Sequence, residues 1–165
     1  MMTKFRTLSM ALTAVLLFAG LVTSACERTF SRSASGSLNV TTSITQQQLQ
    51  SAIQSSLADP LITGLNAQLQ SGYILVTGGR KRLNDASLID TLTFRLDLGV
   101  ANGHLTATVS DAQVDNIAVE AARVSVWNQT IANRLENLAR RAPGAVLQSV
   151  SVTPASITLS WQLTK

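Results

Sequence analysis

The sequence is poor in the residues that build disulfides, metal sites and catalytic centres. It contains one cysteine and one histidine among 165 residues, and charged residues make up only 13% of the chain. A single cysteine excludes an intramolecular disulfide, and together with one histidine it offers too few ligands for a typical zinc site. A folded domain of this chain must therefore be stabilised by an apolar core. We expect it to bind no metal and no cofactor.

Candidate catalytic groups are equally sparse. A Ser-His-Asp triad would need His104 as its base, but this residue follows Asn102 and Gly103 at a predicted turn, where a solvated side chain is typical. No Gly-x-Ser-x-Gly elbow is present. The acidic residues do not suggest a paired-carboxylate site. Four of them stand at predicted loops and strand ends: Asp85, Asp90, Asp111 and Asp115. The sequence thus predicts a protein that is not an enzyme.

The positive charge is smaller than the pI of about 10 suggests. Lys4 and Arg6 lie in an N-terminal segment that we expect to be removed, which leaves 11 basic residues against nine acidic ones. That balance is too weak and too scattered for a nucleic-acid surface. Residues 78–82, Gly-Gly-Arg-Lys-Arg, lack the pattern of a phosphate-binding loop. We interpret them as a solvated hairpin loop, with contact to lipid phosphate or an acidic surface as the alternative.

The N-terminal residues have the pattern of an export signal. Two basic residues precede an apolar run over residues 8–22, and small residues then lead to Cys26. The segment resembles a lipobox, with Thr23 in place of the usual leucine, so we expect residues 1–25 to be a lipoprotein signal peptide and Cys26 to be acylated. Such a protein would be anchored to a bacterial membrane on its extracytoplasmic side, at the periplasmic face or the cell surface. The alternatives are ordinary cleavage after Ala25 and an uncleaved anchor helix, for which the apolar run is short.

The rest of the chain suits one domain behind a tether. Residues 26–36 are rich in Ser and show no apolar period, which is typical of a flexible linker. From residue 37 onward apolar residues recur at regular spacing. Leu38, Val40 and Ile44 alternate with polar residues as in a strand, and Thr45 with Gln48 forms a capping box for a helix. We expect residues 37–165 to form a single domain.

The clearest prediction is a long hairpin. Alternating apolar residues run from Leu92 to Val100, Asn102-Gly103 supplies the two-residue turn, and alternation resumes from Leu105 to Val109. A long helix is predicted over residues 119–141, because apolar residues recur there every three or four positions. Two closing strands follow, over residues 146–153 and 156–163. The predicted class is α+β, with an antiparallel, curved sheet of about six to seven strands and one short and one long helix on one face.

This layout resembles a family of small bacterial lipoproteins. The resemblance rests on Leu38-Asn39-Val40-Thr41 and the helix after it, on the Leu-x-Phe-x-Leu-x-Leu…Asn-Gly hairpin of residues 92–109, and on Asp115-Asn116-Ile117-Ala118-Val119 before the long helix. It is similar to lipoproteins with a tubular lipid-binding (TULIP) fold, such as the YceB-like and LmeA-like groups, over about residues 38–163. No invariant motif is involved.

The resemblance implies an apolar groove between helix and sheet that takes lipid acyl chains. Inward-facing residues of the hairpin, the long helix and the last strand would line it: Leu92, Phe94, Leu96, Leu105, Val109, Trp127, Ile131, Leu135, Leu159 and Trp161. The same residues would equally form an ordinary helix-on-sheet core. The expected function is therefore binding of a lipid or another apolar ligand. The alternative is an accessory envelope lipoprotein that binds a protein partner and has a solid core.

Overall fold

The computed structural model describes residues 28–32, 37–140 and 142–163. The predicted signal peptide and Cys26 lie outside the described residues. Two helices and nine strands are present in the described part. In chain order they are β1 (Arg28–Arg32), β2 (Leu38–Ile44), α1 (Gln46–Leu57), β3 (Ile62–Leu69), β4 (Ile74–Lys81), β5 (Ile89–Ala101), β6 (His104–Val114), β7 (Ile117–Ala118), α2 (Ala121–Ala139), β8 (Ala145–Val152) and β9 (Ile157–Leu163).

The α+β class and the antiparallel pairing are confirmed, and so are one short and one long helix. The strands divide between two sheets, where the sequence suggested one of six to seven strands. One sheet has the order β1-β2-β9-β8 and the other the order β3-β4-β5-β6-β7. Alternating apolar residues show which face of a strand is buried. They do not show which other strand it pairs with, so the division into two sheets could not be predicted from them.

Strand β1 lies within the segment predicted as a flexible tether. It pairs with β2, so that Phe30 lies opposite Val40. An edge strand gains its hydrogen bonds from one neighbour and needs no apolar face of its own, and Phe30 is 64% exposed. The sequence therefore gave no periodic signal for this strand.

The hairpin between β5 and β6 is confirmed. Ala101 pairs with His104 across the turn, and Asn102 and Gly103 both have positive φ, at 52° and 76°. These angles belong to the type I′ turn, whose twist matches that of the flanking strands. Gly103 also joins the two sheets, because its carbonyl oxygen accepts a 2.9 Å hydrogen bond from the backbone N–H of Leu147 in β8.

Residues 78–81 belong to a strand, which corrects the prediction of a basic loop over residues 78–82. Gly78 pairs with Leu92 and Gly79 with Thr91 in the β4–β5 ladder. A Cβ on Gly79 would come within 2.6 Å of the Ile89 side chain, so glycine permits this close crossing. The strand continues to Lys81, and a loop follows it.

Helix α1 begins at the predicted cap. Gln48 N donates to Thr45 Oγ1 at 3.4 Å, and Thr45 N donates to Gln48 Oε1 at 3.0 Å. Ala58, with φ of 46°, ends the helix in the left-handed conformation. Helix α2 is shorter than predicted by two residues at each end. The helices touch where Thr130 Oγ1 donates to the carbonyl oxygen of Ser56 at 3.2 Å.

Polar side chains of both helices pair with backbone groups at the edge of β3 and along the part of β6 that the short strand β7 does not cover. In α1, the Gln50 amide donates to the carbonyl oxygen of Leu65 and accepts from Ala67 N in β3. In α2, Asn128 Oδ1 accepts from Val109 N at 2.8 Å in β6. Each contact satisfies backbone groups that a sheet edge would otherwise leave unpaired.

One hydrophobic core joins the two sheets and the two helices. Its largest fully buried side chains come from β2, α1, β4, β5, α2, β8 and β9: Ile44, Leu49, Ile53, Ile74, Leu92, Phe94, Leu96, Ile131, Leu135, Leu147, Ile157 and Leu159.

Candidate functional site

The ten residues predicted to line a ligand groove all lie in this core. Their exposed fractions range from 0% for Leu92, Leu96, Ile131, Leu135 and Leu159 to 6% for Val109. The Phe94 and Trp127 rings pack with centroids 5.7 Å apart. Trp161 Nε1 donates to Thr42 Oγ1 at 3.0 Å, which satisfies its one polar group. Side chains this buried match the packed core that was the alternative interpretation, and ligand entry between them stays a prediction.

The structure also has an open groove at one end of the domain, which we call the arginine groove. It consists of two adjoining pockets of about 550 and 620 Å³ that share Arg80 at the end of β4 and Arg123 in the first turn of α2. Among the predicted ligand residues, Trp127 lines the larger pocket. Apolar side chains supply most of the rest of that pocket: Leu57, Pro60, Leu61, Leu83 and Val126.

Asp59 holds the two shared arginines together. It follows α1, and its Oδ1 accepts from Leu61 N at 2.9 Å in a tight turn. Its Oδ2 lies 3.3 Å from Arg80 Nε and 3.5 Å from Arg123 Nη1. The Asp59 side chain is 16% exposed, whereas that of Arg123 is 48% exposed. One largely buried carboxylate therefore positions two guanidinium groups at the junction of the pockets.

The smaller pocket has its own charged network. Arg82 lies 2.6 Å from Asp90 Oδ1 and 3.6 Å from Asp115 Oδ2. The hydrogen bond to Asp90 raises the pKa of the Arg82 guanidinium, and the charges of Asp90 and Asp115 add to this effect. In the loop beyond Arg82, hydrogen bonds from the Ser87 hydroxyl and backbone N–H lower the pKa of Asp85. Arg82, Asp90 and Asp115 are thus paired with one another within the protein.

Apolar side chains at the arginine groove are exposed to solvent. Leu83 is 80% exposed, Ile117 is 73% exposed and Val126 is 58% exposed, and each lines one of the two pockets. Ile117 stands on β7, which is joined to β6 by Asp115 and Asn116 at positive φ. Exposed apolar groups next to arginines form an amphipathic surface, which is suited to ligands that have both apolar and polar parts.

The sequence predicted only part of this site. The basic run of residues 80–82 carries such a prediction, with contact to lipid phosphate or an acidic surface as its alternative role. The sequence did not predict the roles of Asp59 and Arg123. Arg123 is 64 positions from Asp59, so only the packing of α2 beside α1 brings them together. Asp115-Asn116 did carry a turn signal, because both residue types tolerate positive φ.

A second polar cluster surrounds Glu136 of α2. Glu136 is 8% exposed, and its Oε2 accepts from Leu105 N at 2.7 Å. Its Oε1 lies 3.0 Å from His104 Nδ1 and also pairs with Arg140. His104 remains 65% exposed at its turn, as predicted. This cluster fastens α2 to the β5–β6 hairpin.

Within the described residues, no group of three potential metal ligands is present. Neither described helix has the length and apolar character needed to span a bilayer. The sequence matches no protein-family model and no curated protein. The resemblance to TULIP-type lipoproteins therefore stays a prediction.

Proposed function

We propose that this protein is a membrane-anchored extracytoplasmic lipoprotein that binds a lipid or another apolar ligand and catalyses no reaction. The observation that carries the proposal is the arginine groove, in which exposed apolar side chains lie beside two arginines held by one carboxylate. Ligand sites are commonly concave, mostly apolar and equipped with a few convergent polar groups. The larger pocket, at about 620 Å³, is within the usual size range for such sites.

The proposal moves the ligand from the interior to the surface. The interior residues implied by the family resemblance are packed against one another, so an acyl chain would have to separate two layers to reach them. The arginine groove requires no such opening. The resemblance to TULIP-type lipoproteins remains part of the proposal for the fold family, and the ligand position is argued from this chain alone.

A second candidate function is that of an accessory envelope lipoprotein that binds a protein partner. The exposed side chains of Leu83, Ile117 and Val126 favour it, because apolar groups gathered at one end of a domain are also typical of protein interfaces. This function needs a contact surface but no bound small molecule. The two functions therefore differ in what is recovered with the protein.

Native mass spectrometry of the mature domain, extracted gently from its membrane, separates these functions. We expect an added mass in the range of a lipid, and its loss in Val126→Asp, which places a charge in the larger pocket. Val146→Asp is the matched control, because Val146 is also partly exposed but does not line that pocket. A clean apo mass under several extraction conditions contradicts ligand binding and leaves the partner-binding function.

A further inference from the structure

We propose that the larger pocket of the arginine groove selects amphiphiles whose apolar chain ends in a single negative charge, such as a long-chain carboxylate. The inference rests on the proposed function, since it names the class of ligand for the same groove. The juxtaposition that carries it is Arg80 and Arg123 in contact with Asp59, in a pocket whose other lining residues are mostly apolar.

The two pockets differ in the net charge of the residues that line them. The larger pocket is lined by two charged groups of positive sign, Arg80 and Arg123, and by one of negative sign, Asp59. The smaller pocket is balanced, with three arginines against Asp90, Asp115 and Glu120. A single anionic head group would neutralise the larger pocket, whereas the charges that line the smaller one already sum to zero. Opposite charges attract, so the net positive charge of the larger pocket favours an anionic head group over a neutral one.

The geometry leaves donors for such a head group. Both recorded contacts converge on one oxygen of Asp59, and each uses one nitrogen of a guanidinium that carries five N–H groups. Arg123 is half exposed, so its other N–H groups are accessible from the pocket opening. Guanidinium and carboxylate groups form charge-assisted hydrogen bonds, which are roughly twice as strong as neutral ones.

Helix α2 supplies the path of the apolar chain. Val126 stands three residues after Arg123, so both lie on the same side of the helix and both line the pocket. Trp127 and Leu57 form the deeper wall, and Leu83 forms the outer rim. A ligand with its head at Arg123 would thus extend its chain along α2, where the lining is apolar.

The test compares dodecanoate with dodecanol, which share a chain and differ in charge, by isothermal titration of the Cys26→Ser chain below the concentration at which either probe aggregates. We expect dodecanoate to bind at least about tenfold more tightly, since a charge-assisted hydrogen bond contributes that much. Arg123→Gln should remove this preference and leave the affinity for dodecanol unchanged.

Asp59→Asn should strengthen the preference for dodecanoate, whereas Arg123→Gln should remove it. The amide retains an oxygen for Leu61 N but loses the charge, so the pocket has two unopposed arginines and dodecanoate should bind about threefold more tightly or better. Arg95→Gln is the matched control, because Arg95 belongs to another arginine–aspartate pair, with Asp97 on β5, outside the groove. It should change neither probe's affinity.

The outcomes separate the two proposals. Equal affinity for both probes, unaffected by Arg123→Gln, overturns the selection of a charged head and leaves apolar binding in place. Absence of binding by either probe overturns the proposed function itself. A preference for dodecanoate that persists in Arg123→Gln and is not strengthened by Asp59→Asn places the head group elsewhere and also contradicts the inference.

Discussion

Glu136 illustrates how a single polar residue can be required inside an apolar interface. Its carboxylate accepts from the backbone of β6 at Leu105 and also contacts His104 and Arg140. The Arg140 guanidinium in turn lies 5.9 Å from the centre of the Trp161 ring in the other sheet. A buried carboxylate is tolerated only where such partners compensate for its lost hydration. The residue thus links the long helix, the hairpin and the four-stranded sheet.

Replacement of Glu136 by alanine should therefore destabilise the domain. The change leaves Leu105 N without its partner in a buried position, and we expect a loss of about 2–3 kcal/mol in the free energy of unfolding. Chemical denaturation of the Cys26→Ser chain measures this value. Glu120→Ala is the control, because Glu120 is exposed at the start of the same helix and makes no side-chain cap. Equal small effects for both variants would show that the Glu136 cluster does not stabilise the fold.

At the scale of elements, both helices protect the edges of the sheet with polar side chains. Gln50 in α1 accepts a hydrogen bond from a backbone N–H of β3. Asn128 and Glu136 in α2 accept hydrogen bonds from backbone N–H groups of β6 in the same way. Each of these polar residues interrupts the apolar face of its helix. It is needed there because that face contacts the backbone of a strand as well as the hydrophobic core. Exposed strand edges promote association between molecules, so these contacts also oppose aggregation.

Gln50→Ala should expose the edge of β3. We expect a loss of about 1–2 kcal/mol in the free energy of unfolding, since the two hydrogen bonds of one amide are removed and backbone groups of Leu65 and Ala67 lose partners. Light scattering at elevated temperature should reveal earlier aggregation than in the parent chain. Gln54→Ala, at an exposed position of the same helix, should behave as the parent does. A Gln50 variant with unchanged stability and aggregation contradicts this role.

The sequence predicted individual helices and turns better than it predicted which of them lie next to one another. Asn102-Gly103 fixes its hairpin because both residues accept positive φ at adjacent positions, and Thr45 with Gln48 fixes the start of α1 through local hydrogen bonds. The arginine groove had no such local signal. Arg80 is 21 positions from Asp59, and their contact follows from how β4 and α1 end at the same side of the domain. Contacts of this range depend on sheet order, which periodicity does not encode.

At the scale of the whole molecule, the start of β1 and the arginine groove lie near opposite ends of α1. Arg28 pairs with Thr42, shortly before α1 begins, and it is the second residue after Cys26 in the sequence. The groove lies beside the other end of α1, which is about 18 Å away along a 12-residue helix. We therefore expect a lipid on Cys26 to leave the groove accessible to ligand.

This arrangement predicts that anchoring and ligand binding are separable. Cys26→Ser should abolish incorporation of labelled palmitate and release the protein from the membrane fraction, because a serine cannot accept the thioether-linked lipid. The released protein should bind dodecanoate as tightly as the acylated protein does in detergent, since Arg28, the first described residue after Cys26, lies near the opposite end of α1 from the groove. Retention of Cys26→Ser in the membrane, at unprocessed mass, would favour the uncleaved anchor helix. Release with a large loss of dodecanoate affinity would instead place the lipid-bearing end of the chain against the groove.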